Sequence, residues 1–108
     1  TFYSVNCSIQ MVEIIKSDTF DRWLSNLRDS RAKARIEMRI RRLGLGNPGD
    51  VKPIGEGLSE MRIDYGPGYR VYFMERGNFL VILLCSGDKS SQQKDIAKAH
   101  EIAAAWED

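Results

Sequence analysis

Two arginines and a tyrosine in the second half of the chain are of the residue types from which a phosphate-binding surface is built. Arg62 and Asp64 alternate with apolar residues in the segment EMRIDY, which is the period-two pattern of a half-buried strand. Arg70 and Tyr72 follow in the next segment, YRVYFME. A guanidinium group gives planar, bidentate hydrogen bonds to phosphate, and a tyrosine ring can stack on a base. The two arginines and the tyrosine therefore predict a phosphate-binding face if the strands bring them together.

Two turns indicate that these segments pair as consecutive antiparallel strands. Gly66, Pro67 and Gly68 reverse the chain after the first strand, because glycine tolerates positive φ and proline fixes its own φ. Gly77-Asn78 is a two-residue hairpin signal after the second strand. The third strand, FLVILLCS, is apolar on both faces and is predicted to lie buried in the sheet.

The simplest pairing across the Gly-Pro-Gly turn places Asp64 opposite Arg70 and Arg62 opposite Tyr72. One face of the sheet then carries all four side chains. Asp64 and Arg70 also suit an ordinary cross-strand ion pair, and residue types alone leave that alternative open.

A basic helix is predicted from about residue 30 to 44, begun by Asp29 or Ser30 and ended by Gly44 or Gly46. Its apolar stripe consists of Ala32, Ile36, Ile40 and Leu43. Its other faces carry Arg31, Lys33, Arg35, Arg39, Arg41 and Arg42. Such a face is typical of a solvated helix, and it is equally suited to neutralise RNA phosphates.

The remaining elements predict an α+β fold. Residues 12–16 have the β-branched content of a strand, and Ser17 or Asp18 begins a first helix that ends near Arg28. Residues 44–59 are rich in Gly and Pro and read as a loop in which 51–54 can be extended. A last helix follows Ser90 or Ser91. The predicted architecture is a small twisted antiparallel sheet, a two-helix hairpin packed on one face, and a C-terminal helix.

Composition bounds the domain count and the class of protein. At 108 residues the chain fits one domain, assigned to residues 11–108, with residues 1–10 as an N-terminal extension. The net charge is +1, yet residues 16–52 hold ten Lys or Arg against five Asp or Glu, which is an electrostatic footprint of nucleic-acid or acidic-protein binding. No membrane span or signal peptide is recognisable, so a cytoplasmic protein is expected. The two cysteines have no metal-ligand spacing, and neither a metal nor another cofactor is expected.

The segments GEGLSEMRIDYGPGYRVYF and ILLCSGDKSSQQKDIAKA closely resemble the RelE/ParE toxin superfamily, in particular its HigB-like branch of addiction-module killer proteins. The shared features are a helical pair, an E-x-R strand, a Gly-rich turn, G-Y-R, an apolar strand and G-D-K. The resemblance covers residues 11–106. It implies the toxin of a bacterial type II toxin-antitoxin system, with an endoribonuclease activity that cuts mRNA on the ribosome.

The resemblance also implies the residues of the site. The G-Y-R arginine is Arg70, the E-x-R arginine is Arg62, and the basic residue after the last strand is Lys89, so these three are the expected catalytic residues. Cleavage through the ribose 2'-OH needs a base, a cation for the charge on the transition state and a proton donor. The arginines suit charge stabilisation, because guanidinium does not give up its proton. Lys89 suits phosphate binding and proton donation.

The proton acceptor is open in the sequence. Related nucleases carry a Tyr or His near the C-terminus, whereas here His100 is the only histidine and no tyrosine follows Tyr72. Asp88 is a nearby candidate, and it is equally suited to cap the last helix. The expected RNA-binding set is Tyr72, Asp88, Arg31, Arg35 and Arg39.

The resemblance implies partners as well. These are a cognate antitoxin, expected to be a helix-turn-helix protein of the HigA-like kind, the ribosome with its mRNA, and operator DNA through the antitoxin complex only. The alternative function is a binding module of the same fold that acts without cutting RNA, either as a gyrase-type inhibitor or as an antitoxin-binding regulatory protein.

Overall fold

A five-stranded sheet and three helices make up the α+β fold of the chain, for which the computed structural model describes residues 12–77 and 79–106. The elements in chain order are β1 (Glu13–Lys16), α1 (Asp18–Asn26), α2 (Ser30–Gly44), β2 (Val51–Gly55), β3 (Leu58–Ile63), β4 (Tyr69–Arg76), β5 (Leu80–Gly87) and α3 (Gln92–Ala105). A 3-10 turn, Lys89–Ser91, leads directly into α3. Residues 1–10, predicted to be an extension, lie outside the described part of the chain.

The two predicted helices of the first half are confirmed, with the expected caps. The Ser17 hydroxyl accepts a hydrogen bond from the Phe20 amide at 3.0 Å and so begins α1. The Asp29 carboxylate accepts from the amides of Arg31 and Ala32 and begins α2. Each side chain satisfies amides that have no partner within the helix, which is why these residue types start helices.

The three consecutive strands of the predicted meander are confirmed, but the sheet as a whole is mixed. Its strand order is β1-β5-β4-β3-β2, and every neighbouring pair is antiparallel except the first. The expectation of an entirely antiparallel sheet is therefore wrong at one edge, where β1 runs parallel to β5. Tight turns enforce antiparallel pairing only between sequential strands. No such turn joins β1 to β5, because both helices and three strands separate them.

The predicted loop at residues 44–59 also needs correction. Its second half is a hairpin in which β2 pairs antiparallel with the start of β3. The connecting turn is Gly55-Glu56-Gly57, and all three residues have positive φ. The pattern was hidden because Lys52, Pro53 and the three turn residues are exposed, so β2 has no continuous apolar face.

The sheet separates two apolar layers. Met61, Ile63, Val71 and Phe73 point toward α1 and α2 and pack with Phe20, Leu24, Ile36 and Ile40. Alternate residues of the same strands, among them Leu58, Tyr72 and Met74, pack against Ala99, Ile96 and Ile102 of α3. The helix hairpin and the C-terminal helix therefore cover opposite faces. Within the described part of the chain, no helix has the length and apolar content needed to cross a membrane.

Candidate phosphate site on the sheet

The cross-strand register brings the two candidate arginines directly opposite each other. Arg62 pairs with Arg70, Ile63 with Tyr69, and Glu60 with Tyr72. The predicted pairing of Asp64 with Arg70 is wrong by two residues, because the amides of Tyr65 and Gly68 bond to Ile63 and Tyr65 carbonyls and lengthen the turn. A two-residue shift preserves which face a side chain points to. Arg62, Arg70 and Tyr72 therefore share one face, as expected.

A buried carboxylate lies between the two guanidinium groups. The Glu60 side chain is 1% exposed, and its Oε1 is 3.2 Å from Arg62 Nε while its Oε2 is 3.6 Å from Arg70 Nε. Gln92, at the first turn of α3, donates from Nε2 to Glu60 Oε2 at 2.8 Å. Burial of a carboxylate is costly unless it is paired and hydrogen-bonded, and here both requirements are met by side chains from three elements.

Arg70 and Lys89 both lie close to Gly68 in the β3–β4 turn. Arg70 donates from Nη1 to the Gly68 carbonyl at 3.1 Å, and its side chain is only 12% exposed. A Cβ atom on Gly68 would lie 3.6 Å from the Lys89 Cβ and 3.7 Å from Arg70 Nη1. Lys89 itself is exposed. The three residues expected to be catalytic, Arg62, Arg70 and Lys89, thus come together at one end of the sheet.

An open cleft of about 230 Å³ adjoins the arginines. Its lining comes from the turn before β2, the end of β3 and the start of β4, and consists of Asp50, Arg62, Ile63, Asp64, Gly68, Tyr69 and Arg70. The Tyr69 ring packs edge-on against Trp23 at 5.9 Å. Burial and then the Asp29 carboxylate raise the pKa of Tyr69, so its hydroxyl is protonated at neutral pH. The cleft therefore offers two cations and, at its exposed rim, two carboxylates.

Tyr72 lies in the interior and not on an open face. Its residue exposure is 0%, because α3 covers this part of the sheet. Burial and then the Glu60 carboxylate raise its pKa above the ordinary value of 10.0. A ring in this position packs against the sheet, so the expected stacking of Tyr72 on a base does not fit its place in the fold. The sequence pattern gave no sign that α3 covers the same face.

Asp88 is a cap, which is the structural alternative left open above. Its carboxylate accepts from the Ser90 amide at 2.9 Å and from the Ser90 hydroxyl at 2.5 Å, and it begins the turn that leads into α3. The hydrogen bond from the Ser90 side chain is the main cause that lowers the pKa of Asp88. A carboxylate that is more acidic than usual and already bonded is poorly suited to accept a proton from ribose.

His100 lies at the other end of the sheet. Its Nδ1 is 3.1 Å from the Glu56 carboxylate, and its Nε2 is 3.2 Å from the Ile54 carbonyl. Eight residues of helix separate it from Gln92, or about 12 Å along the axis at the ordinary rise. His100 therefore joins the β2–β3 turn to α3 and does not reach the arginines.

The basic helix lies beside the arginine site on the other face of the sheet. Arg39 donates from Nη1 to the Arg62 carbonyl and from Nη2 to the Pro48 carbonyl at 3.0 Å, so its guanidinium ties α2 to β3 and the loop before β2. Arg35 stacks over the Tyr65 ring at 4.7 Å, and Arg31 is exposed. An open groove of about 630 Å³ follows this helix, lined by Arg31, Ala34, Arg35, Met38, Arg39, Arg42 and Ile63.

Sequence comparison relates this chain to a protein of Haemophilus influenzae. No protein-family model matches the sequence. It is 53% identical over 92 residues to an uncharacterized protein of Haemophilus influenzae. The aligned region covers 85% of this chain and 93% of that protein. The chain belongs to the family of that Haemophilus protein. The name of that relative assigns it no activity.

Two residues of the site in this member of the Haemophilus family were not singled out from the sequence. Glu60 is the first residue of the E-x-R motif, and the period of two places it on the same face as Arg62, which was the available signal. Gln92 had no comparable signal. Its position depends on how α3 docks across the sheet, and one sequence does not reveal a helix-to-sheet contact between residues 32 positions apart.

Proposed function

We propose that this protein is the toxin of a bacterial type II toxin-antitoxin system, with a RelE-like fold of the HigB-like branch. In this proposal it is a metal-independent endoribonuclease that acts in the cytoplasm, cleaving mRNA on the ribosome through attack by the ribose 2'-OH. The observation that carries the proposal is the pair of opposed arginines, Arg62 and Arg70, held by one buried carboxylate beside an open cleft.

The proposed chemistry assigns charge stabilisation to the arginines and proton transfer to other groups. Arg62 and Arg70 bind the scissile phosphate and stabilise the negative charge that gathers on it in the transition state. Lys89, exposed beside Arg70, binds phosphate and donates a proton to the leaving 5' oxygen. Asp50 and Asp64 at the rim of the cleft are the carboxylates placed to accept the 2'-OH proton.

The groove along α2 supports the second part of the proposal, an antitoxin partner. Its lining combines four arginines with three apolar residues, Ala34, Met38 and Ile63, and Met38 is 50% exposed. Phosphate groups require no apolar lining, but an acidic amphipathic helix matches both features. An acidic segment of the antitoxin is therefore the proposed occupant. Operator DNA would be reached only through that complex.

The decisive experiment compares mRNA 5' ends after brief induction of the wild type and of Arg70→Ala in bacteria. New 5' ends at codon-related positions are expected for the wild type alone. Removal of one preorganised donor from a site that stabilises an oxyanion lowers the rate by about 10²- to 10³-fold. Arg70→Ala is expected to remain folded, because Glu60 keeps Arg62 and Gln92 as partners. It is expected to bind the antitoxin, because the α2 groove is lined by other residues.

Two controls accompany that comparison. Arg22→Ala removes an exposed arginine from α1, away from the cleft, and is expected to cut like the wild type. Arg70→Lys keeps the charge but loses the two-pronged geometry, so it is expected to retain only a small part of the activity. Growth arrest without new RNA ends would replace the nuclease with the non-nucleolytic inhibitor. Absence of arrest would leave a regulatory binding module.

A further inference from the structure

Glu60 is the most deeply buried charged residue among those described, and its place explains the geometry of the site. Both oxygens are engaged, Oε1 by Arg62 and Oε2 by Arg70 and Gln92. With a side-chain exposure of 1%, the carboxylate does not reach a ligand in the cleft. Its role therefore acts through the residues that it contacts.

The two arginines need such a partner because they face each other across adjacent strands. Directly opposed residues have Cα atoms only about 5 Å apart, and like charges in that arrangement repel each other. Arg62 and Arg70 are directly opposed. Glu60 stands two residues before Arg62 on the same face, so its carboxylate lies diagonally from Arg70 and contacts both guanidinium groups. The three side chains together carry one net positive charge.

The contacts also select which edge of each guanidinium is left for a ligand. Glu60 accepts a hydrogen bond from Arg62 Nε and forms an ion pair with Arg70, whose buried Nε lies 3.6 Å away and makes no hydrogen bond. The Gly68 carbonyl accepts a hydrogen bond from Nη1 of Arg70. We infer that Glu60 is the positioning residue of this site: it holds the two guanidinium groups side by side, leaves Nη2 of Arg70 and the terminal nitrogens of Arg62 to a phosphate, and limits the net charge. The inference rests on the proposed function in that the ligand is taken to be an RNA phosphodiester.

Substitution Glu60→Gln separates positioning from a merely structural role. Glutamine keeps the shape and one acceptor oxygen but removes the charge that fixes both arginines. Binding of a short RNA is expected to tighten about threefold at low salt, which is the effect of one charge at ~6 Å in a water-like medium. The slope of the logarithm of the binding constant against the logarithm of the salt concentration is expected to steepen by ~0.7, the value for one additional charge on a single strand. The cleavage rate is expected to fall by tenfold or more, because the guanidinium groups lose their alignment.

The matched control is Glu75→Gln, the same chemical change at an exposed position of β4. It is expected to leave both binding and cleavage unchanged. A structural role alone would lower binding and cleavage together, in proportion to the folded fraction, and that result would overturn the inference. If Glu60→Gln does not fold, Glu60→Asp keeps the charge on a shorter side chain. It is then expected to keep the wild-type salt slope while cleavage falls, and unchanged cleavage would overturn the inference.

A second readout does not depend on RNA. The Nε–H resonance of Arg62, assigned from Arg62→Lys, is expected to exchange more slowly in the wild type, where the Glu60 carboxylate accepts its hydrogen bond, than in Glu60→Gln. If Glu60→Gln loses this protection but the wild type neither binds nor cuts RNA, the proposed function is contradicted while the positioning role is supported. Unchanged protection in Glu60→Gln would overturn the positioning role, whatever the protein does to RNA.

Discussion

At the scale of single residues, the candidate catalytic carboxylate of Asp88 serves as a cap for the turn that leads into α3. It accepts hydrogen bonds from the Ser90 amide and hydroxyl, and the Ser91 hydroxyl accepts in turn from the Asp88 amide at 3.3 Å. This reciprocal capping box begins the turn that carries Lys89 and leads into α3. The same residue therefore sets the place of Lys89, which the proposed mechanism uses as a proton donor.

The stability that this cap contributes is expected to depend on pH. The Ser90 hydroxyl lowers the pKa of Asp88 below its usual 3.8 in the folded protein. The ionised cap thus contributes its full stability above the unfolded pKa of about 3.9, and that contribution is lost as pH falls through the lower, folded pKa. Asp88→Ala is expected to lower the free energy of unfolding by about 1 kcal/mol at pH 7, measured by urea unfolding.

Asp88→Asn is the control for that measurement, because asparagine also caps helices but carries no charge. It is expected to keep most of the stability at pH 7. The difference between wild type and Asp88→Asn should shrink as pH is lowered from 5 toward 2.5. An equal pH dependence in the two proteins would show that other carboxylates account for the acid sensitivity.

At the scale of elements, the contact between the end of β5 and the start of α3 depends on a glycine. Gly87 lies beneath a hydrogen bond in which the Ser91 hydroxyl donates to the Asp95 carboxylate at 2.5 Å. A Cβ on Gly87 would lie 2.7 Å from Ser91 Oγ and would collide with the Asp95 carboxylate. Gly87→Ala is therefore expected to break this bond, shift the first turn of α3 and lower the free energy of unfolding by about 1–3 kcal/mol.

Gly44→Ala gives the matched comparison for a glycine without such crowding. Its added Cβ would meet Ile14 Cγ1 and the Val12 carbonyl at 3.6 Å, which are ordinary contacts. Because alanine favours helix over glycine, stability is expected to be unchanged or to rise by up to about 1 kcal/mol. Both variants are compared by urea unfolding. Equal stabilities would mean that α3 adjusts to the methyl group and that its docking is looser than the packing indicates.

The elements themselves were largely predictable, because each depends on local signals. Both helices were predictable from the caps at Ser17 and Asp29 and from the apolar stripe of α2. Strands β3 and β4 were predictable from the alternation of apolar and polar residues. Alternation also assigned Arg62 and Arg70 to one face correctly, since a two-residue error in register does not change the face.

The relations between distant elements were not predictable from one sequence. The direction of β1 follows from how the helices return the chain, and no local turn specifies it. The position of α3 on the sheet buries Tyr72 and brings Gln92 to Glu60. That position is set by contacts between residues far apart in the sequence. For this reason the arginine pair was anticipated, whereas the carboxylate that holds it and the burial of the tyrosine were not.

At the scale of the whole molecule, Cys85 reports on how the sheet opens. Its strand, β5, lies between β1 and β4, and the thiol donates to the Asp95 carbonyl of α3 at 3.4 Å. Burial and then the Asp95 carboxylate raise the pKa of Cys85 to about 12. The thiolate is the reactive form, so the folded protein is expected to be almost inert to alkylation at pH 8. Reaction then requires that α3 leave the sheet or that the chain unfold.

The last prediction is that Cys85 is labelled only through global unfolding. In a Cys7→Ser background, the alkylation rate is expected to lie at least about 10³-fold below that of the unfolded chain, and to rise with urea as steeply as equilibrium unfolding does. Ser25→Cys, exposed on α1, is the control and should react rapidly at every urea concentration. A rate for Cys85 that hardly depends on urea would mean that α3 detaches locally. The cover over Tyr72 and the Gln92 contact with Glu60 would then be the least stable part of the fold, and the alignment of the two arginines would be controlled by that detachment.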